Sequence, residues 1–349
     1  MPLLRRIALA LLVAMPVAAA AQADGAAPDP DAYFKGRMGG TFGKDIVEVM
    51  PAGKRIAVAA FRVGFITDNS VTAQVRGAYL PGGIDKSGAR SSFFVALKGV
   101  DPGTMQAITD KAYADLLAQL AASGREVVPP AQMAELLAQL KASKPGYTKE
   151  HNGQTAAFFA PTGMPLVFTH AEPQWGDAGM FDLANYRKLQ EMSGRLDAVV
   201  IAPMLFVNFA KMSSSGNQSG LVARTAETGA ELGMSVAALN SYYVRTTEFR
   251  NGMHMAGDEG GFSLAQPVAS PLAFGTLKET AKDDNAAVKS AFDLLGKTMG
   301  MLNAGGAARS STKAVAETTD EAYAAAAGDA LHRTAELLAR WFGKHPPAH

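Results

Sequence analysis

The chain has 349 residues, 48% of them hydrophobic and 19% charged, with 33 Lys and Arg against 32 Asp and Glu. Arg5 and Arg6 sit at the amino-terminal end, so the rest is close to neutral and has no global field to draw nucleic acid or anionic lipid. Cysteine is absent, which excludes disulfides, thiolate catalysis, zinc–thiolate sites, iron–sulfur clusters and a lipid-modified cysteine anchor together. The fold therefore rests on its core, which a chain of this length can supply.

Residues 1–23 read as a secretory signal peptide. Arg5 and Arg6 are followed by an apolar run from Ile7 to Ala21, and Ala21-Gln22-Ala23 has the small-x-small form of a cleavage site. The run is too short for a lasting transmembrane helix, and Asp24, Pro28, Asp29 and Pro30 follow it at once. The alanine-rich leader points to a bacterial periplasm. Residues 24–50, with Gly36, Gly39, Gly40 and Gly43, read as a flexible leader holding at most one short ordered piece.

Order is expected to begin at Lys54-Arg55-Ile56-Ala57-Val58-Ala59-Ala60-Phe61. Both alternating faces of this run are apolar, as in a strand covered on each side. Residues 92–100 form a second strand candidate, and the stretch between them, with Asp68-Asn69, Pro81-Gly82-Gly83 and Gly88, reads as loop or insertion. Pro102 to Ser123 is the clearest helix, with Ile108, Leu116, Leu117 and Leu120 on one stripe and Gly124 as the left-handed stop. Arg125 to Val128 reads as a short strand. Pro129-Pro130 then opens a helix with Met133, Leu136, Leu137 and Leu140 on one face.

The span 144–179 reads as loop. Residues 181–192 read as a helix ended by Gly194, and 198–207 as a long apolar strand in which Pro203, lacking an amide donor, belongs at an edge or bulge. Residues 231–247 alternate cleanly, Leu232, Met234, Val236, Ala238, Tyr242 and Val244 against Glu231, Ser235, Ser241 and Arg245, as in one strand with a dry and a wet face. The polar run Ser213 to Gly220 lies between these strand regions and makes a long hairpin the natural connection. Beyond Gly252 the chain reads as irregular, followed by helices over 285–302 and 320–342 and a linker at 305–312.

Motifs for chemistry are thin. Ser310-Ser311-Thr312-Lys313 spells the Ser-x-x-Lys of penicillin-recognising enzymes, but no Lys-Thr-Gly follows it, and a serine-rich linker explains the same letters. Gly39-Gly40-Thr41-Phe42-Gly43-Lys44-Asp45 fails as a phosphate loop, because Met38 and Asp45 occupy positions that need Gly and Ser or Thr. Met253-His254-Met255, with Asp258 and Glu259 behind it, carries soft donors suited to copper(I). The same residues also read as a solvated loop in a chain with 16 methionines. His170, Asp177 and His254 would be the polar groups of an assembled enzyme site if the fold brought them together. No residue is named catalytic, and no cofactor is called for.

Three stretches together resemble a known group: the strand at 54–61; Tyr113 to Leu120 leading through Gly124 to Val127-Val128; and Leu196-Asp197-Ala198-Val199-Val200-Ile201-Ala202. In this order they are similar to the periplasmic α/β domains of the curli-secretion-channel family, the TolB amino-terminal domain and the penicillin-binding-protein activators, over residues 52–250. The resemblance implies non-enzymatic work in envelope assembly, regulation of a partner enzyme, or export through a ring. The chain departs from the group in lacking an anchor cysteine and in its longer segments at 61–92 and after 252.

The fold expected is α/β, a mixed central sheet with helices packed on its faces. Residues 51–250 form the domain, and two carboxy-terminal helices within 251–345 pack back on it. The function expected is that of an exported, non-enzymatic envelope protein that binds another envelope protein and not nucleic acid. The oligomeric state stays open. So does membrane contact by means other than a helix, since residues 199–210 and 232–244 have the length of tilted spanning strands, about 9–11 residues. The alternatives are an oligomeric outer-membrane secretion component, a periplasmic enzyme and a copper-binding protein.

Overall fold

A computed structural model describes residues 28–38, 46–50, 55–75, 78–80, 84–86, 89–144, 146–169, 172, 174–176, 183–219, 223–238, 241–250, 253–284 and 309–346. A 3-10 turn, Pro30–Ala32, leads into β1 (Phe34–Met38), α1 (Ile46–Val49), β2 (Arg55–Val58) and β3 (Arg62–Val75). The small hairpin β4 (Ala78–Leu80) and β5 (Ile84–Lys86) precedes β6 (Ala89–Lys98), α2 (Pro102–Ala122), β7 (Glu126–Val127) and α3 (Pro130–Leu137). Then come β8 (Thr148–His151), β9 (Gln154–Phe159), α4 (Ala184–Leu196), β10 (Ala198–Ala202), β11 (Met204–Ser219) and β12 (Ala223–Ala238). The chain continues through β13 (Ser241–Arg250), β14 (Met253–Leu264), β15 (Val268–Ala269), β16 (Gly275–Asp284) and β17 (Arg309–Thr318) to α5 (Asp320–Gly343).

The fold is mixed α/β and built on two sheets. The first has the order β1-β14-β13-β10-β2-β7, with β10, β2 and β7 parallel and the rest antiparallel. Its central strands are covered on both faces, and residue parity divides them. Ile56, Val58, Val199, Ile201 and Tyr243 enter one core together with residues of α2 and α5. Ala57, Ala59, Val200, Ala202, Tyr242 and Val244 enter a second core with α3 and α4. The period-2 apolar run of β2 thus feeds two helical layers at once.

The second sheet runs β15-β12-β11-β3-β6-β17-β16, with the hairpin of β8 and β9 attached to β3. The two sheets share chains. β2 and β10 pair in parallel, bend together, and continue as β3 and β11, again parallel. The ladder carries through the bend, where Ala59 N–H donates to Ile201 O at 3.0 Å and Arg62 N–H to Pro203 O at 3.0 Å. Pro203, with no amide to donate, marks the switch. The chain crosses back between β12 and β13, so the alternating run 231–247 is two strands in two sheets rather than one.

Other expectations are corrected. The stretch after Phe61 is not a loop: β3 buries Val63, Phe65, Ile66 and Asn69, and the Asp68-Asn69 pair that looks like a turn lies inside it. Within the span 144–179 read as loop, 148–159 is instead β8 and β9, joined at Asn152 (φ 51°) and Gly153 (φ 78°), a two-residue turn with both central residues left-handed, while 160–169 has neither helix nor strand. Residues after Gly252 form β14, β15 and β16, and the linker reading of 305–312 ends in β17. Ser310 to Lys313 therefore lie in a strand, not at the helix start that Ser-x-x-Lys chemistry needs.

Gly194 lies within α4, which stops at Asp197 in the left-handed conformation (φ 48°). The helix expected over 285–302 lies outside the described residues. The leader is not loose throughout: β1 pairs with β14, and Phe34 stacks on Trp341 of α5 at 4.9 Å. α5 answers the helix expected over 320–342, capped by Thr319 Oγ1, which accepts from the Ala322 amide.

Candidate functional site

The residues picked from sequence do not assemble into one described site. His170 and Asp177 lie outside the described residues. The backbones of Met253, His254 and Met255 belong to β14, with His254 opposite Phe249 of β13, so they are not in an open loop; their side chains are outside the described set. Among the described residues no group of three or more His, Asp or Glu side chains is placed to hold a metal.

Glu259, on the same strand, is engaged elsewhere. Its Oε2 accepts from the hydroxyl of Tyr186, from Tyr242 Oη at 3.2 Å and from Gln190 Nε2 at 3.2 Å. Burial first, and the neighbouring carboxylate second, push both phenols well above the ordinary tyrosine range. The phenols therefore stay protonated as donors, and the cluster ties α4 to β13 and β14.

The group missed from sequence is Arg62 with Glu172, both 0% exposed. Arg62 Nη1 reaches Glu172 Oε2 at 2.6 Å and Val167 O at 3.0 Å, and Nη2 reaches Ala202 O at 2.6 Å. Glu172 Oε2 also accepts from the Thr169 amide at 2.9 Å. A guanidinium can serve several acceptors in its plane, which a lysine could not. Here it holds Val167 and Glu172 against the point where the paired strands change sheets. The signal was an arginine between two apolar runs, Val58-Ala-Ala-Phe61 and Val63-Gly-Phe65. Trp175 lies close by, buried, with its ring 4.8 Å from that of Phe206.

Beyond the crossing, the second sheet becomes an arm of hairpins. β3 leaves β11 after Phe65 and pairs with β6 from Asp68 to Val75, while β11 runs on with β12 alone to Ser219. Hydroxyls line the meeting of these hairpins. Ser91 Oγ lies 2.8 Å from Thr228 Oγ1 and 2.9 Å from Ser310 Oγ, and Thr72 Oγ1 lies 3.0 Å from Ser92 Oγ. Deeper in, Asn69 Nδ2 donates to Asn208 Oδ1 at 3.4 Å. Gly216 sits so close to the facing strand that a methyl group there would come within 2.9 Å of Val75 Cγ2.

From Asn208 to Ser219, β11 has a ladder partner on one side only among the described residues. The side chains of Lys211 and of Ser213 to Gly216 are exposed along it. At the other end, β16 is the outermost strand and carries exposed Lys278, Glu279 and Lys282. Charges of this kind keep an edge from pairing indiscriminately. The β11 edge has one lysine, and the rest of its exposed run is serine and glycine. Among the described residues no helix is long and apolar enough to cross a membrane.

Compared with protein-family models, with curated proteins and with solved structures, the chain matches none.

Proposed function

We propose that the chain is an exported, non-enzymatic component of the bacterial cell envelope that binds another envelope protein through its hairpin arm. The observation that carries this reading is the edge of β11 from Asn208 to Ser219, which has no ladder partner on one side among the described residues. An extended segment from a partner could add to it as a further strand, main-chain bonds giving affinity and side-chain pockets specificity. The leader at 1–23 supports export, and the order β2, α2, β7, α3, β10 and hairpin supports kinship with periplasmic assembly domains.

The test is light scattering of residues 24–349 on size exclusion, with and without liposomes, followed by pull-down with wild type, Ser213→Pro and Ser214→Pro. Neighbouring residues of an edge strand alternate in which side their N–H faces. One proline should therefore remove a donor from the open edge and lose partners, while the other disturbs the pairing with β12. A small species that ignores lipid, with edge-dependent capture, is expected. A large discrete oligomer that floats with liposomes would replace this reading with that of a secretion channel.

A further inference from the structure

We propose that the free edge of β16 is a self-recognition site, through which two copies of the chain pair antiparallel, β16 against β16, about a two-fold axis perpendicular to the sheet. β16 ends the second sheet, and among the described residues no strand pairs with its outer side. Lys278, Glu279, Thr280, Ala281 and Lys282 are all exposed, so the edge is open on both faces. Its sequence, Lys278-Glu279-Thr280-Ala281-Lys282-Asp283, is self-complementary in charge. Turned end for end against its copy, with Thr280 opposite Ala281, it sets Lys278 opposite Asp283 and Glu279 opposite Lys282. The two-fold axis repeats both, giving four opposite-charge pairs in one ladder.

The backbone is shaped for that register. In a regular strand, residues an odd number of positions apart lie on opposite faces, so Lys278 could not meet Asp283 of an identical strand. β16 is not regular. Glu279 stands opposite Ala314 of β17 and Ala281 opposite Lys313, which leaves Thr280 as an extra residue, a bulge. Thr280 Oγ1 donates to Lys313 O at 3.2 Å and fastens it there. Positions 278 and 283 stand opposite Val315 and Ser311, four apart on β17 and so on one face. Positions 279 and 282 stand opposite Ala314 and Thr312, two apart and on the other face. Each pair across the two-fold axis therefore shares a face.

Other registers fail. A slip of one residue puts the paired side chains on opposite faces, and a slip of two sets Lys278 against Ala281 in one direction and Glu279 against Asp284 in the other. Lysine on an edge guards it against stray pairing. Here each lysine has an acid at the position a second copy presents, so the edge refuses other strands and accepts its own. The contact is the same patch on both copies and closes at two, where a head-to-tail contact would run on. Lys278 already meets Glu317 of β17, so the Glu279 and Lys282 pairs read the contact most directly. The pairing leaves the β11 edge unused, and this site stands whether or not a partner binds there.

The experiment is analytical ultracentrifugation of the full chain, as the cell processes it, at rising protein concentration. A monomer–dimer equilibrium is expected, weakening as salt is added. Glu279→Lys and Lys282→Glu each turn two attractive pairs into repulsive ones and should weaken the dimer at least about tenfold. Mixed in equal amounts, the two variants present opposite charges to each other and should recover the wild-type affinity as a heterodimer. The exchanged chain Glu279→Lys/Lys282→Glu should recover it with itself. Such recovery also shows that the variants are folded. A monomer up to millimolar protein, a dimer indifferent to either single substitution, or a mixture no tighter than its components would overturn the proposal.

Discussion

Removing Arg62 should cost far more than removing the charge of Glu172. Both side chains are fully buried, and among the described residues Arg62→Met leaves Glu172 only the donors of Thr169, its amide at 2.9 Å and its hydroxyl at 3.3 Å. Stranding one member of a buried ion pair costs about 3–5 kcal/mol. In Glu172→Gln the guanidinium keeps the carbonyls of Val167 and Ala202 and gains a neutral amide oxygen, so the loss is that of a charged hydrogen bond, about 1–3 kcal/mol. The double variant Arg62→Met/Glu172→Met removes both charges and should recover most of the deficit of Arg62→Met.

Urea unfolding followed by tryptophan fluorescence reads this directly, since Trp175 is buried beside Phe206. With an m-value of at least about 3 kcal/mol/M, a loss of about 4 kcal/mol lowers the midpoint by roughly 1 M. If Arg62→Met unfolds within about 1 kcal/mol of wild type, or the double variant is no better than Arg62→Met, the pair does not hold the crossing and the reasoning is refuted.

Gly99→Ala should destabilise by more than about 2 kcal/mol, because φ is +89° and a Cβ would stand 2.1 Å from the Thr318 carbonyl oxygen. Gly124→Ala, at φ +84° with open space around it, should cost only the left-handed penalty of about 1–2 kcal/mol; equal losses in melting experiments would contradict the packing described. Phe34→Ala should cost about 3 kcal/mol through the lost stack on Trp341, and no change would mean that β1 is not part of the sheet. Burial would raise the Asp110 carboxyl, but donors from Thr162 and Gln106 outweigh it and hold it below its ordinary range. It contributes stability above about pH 4, the ordinary range of an unfolded carboxyl, and loses it as pH falls through the lower folded value. The gap in urea midpoint between wild type and Asp110→Asn should accordingly close on acidification, and a gap that widens would reverse the assignment.

Much of the base was legible because local rules and burial agree there. The double-faced apolar run at 54–61, the stripe of Ile108, Leu116 and Leu120, the stop at Gly124 and the Pro129-Pro130 start each state a period or a cap in a few consecutive residues. The β8–β9 hairpin was also written locally, in Asn152-Gly153, but its strand Thr148–His151 is short and polar and hides the signal. The arm was harder to read, since Ser, Thr, Gly, Lys and Asp favour turns in isolation. They become strands here because each finds a partner far along the chain, as Ser91 does with Thr228 and Ser310.

The sequence by itself determined the α/β alternation, the cysteine-free core, the near-neutral surface and the long hairpin of β11 and β12. Only the tertiary structure decided that two parallel strands bend together from one sheet into another and that Arg62 and Glu172 meet at the bend. It alone placed the bulge at Thr280 that sets positions 278 and 283 of β16 on one face. Periodicity records which face of a segment is dry, whereas a crossing, a buried ion pair or a bulge depends on separate elements of the chain being brought together. That meeting is set by the packing of whole layers, which no short window of sequence contains.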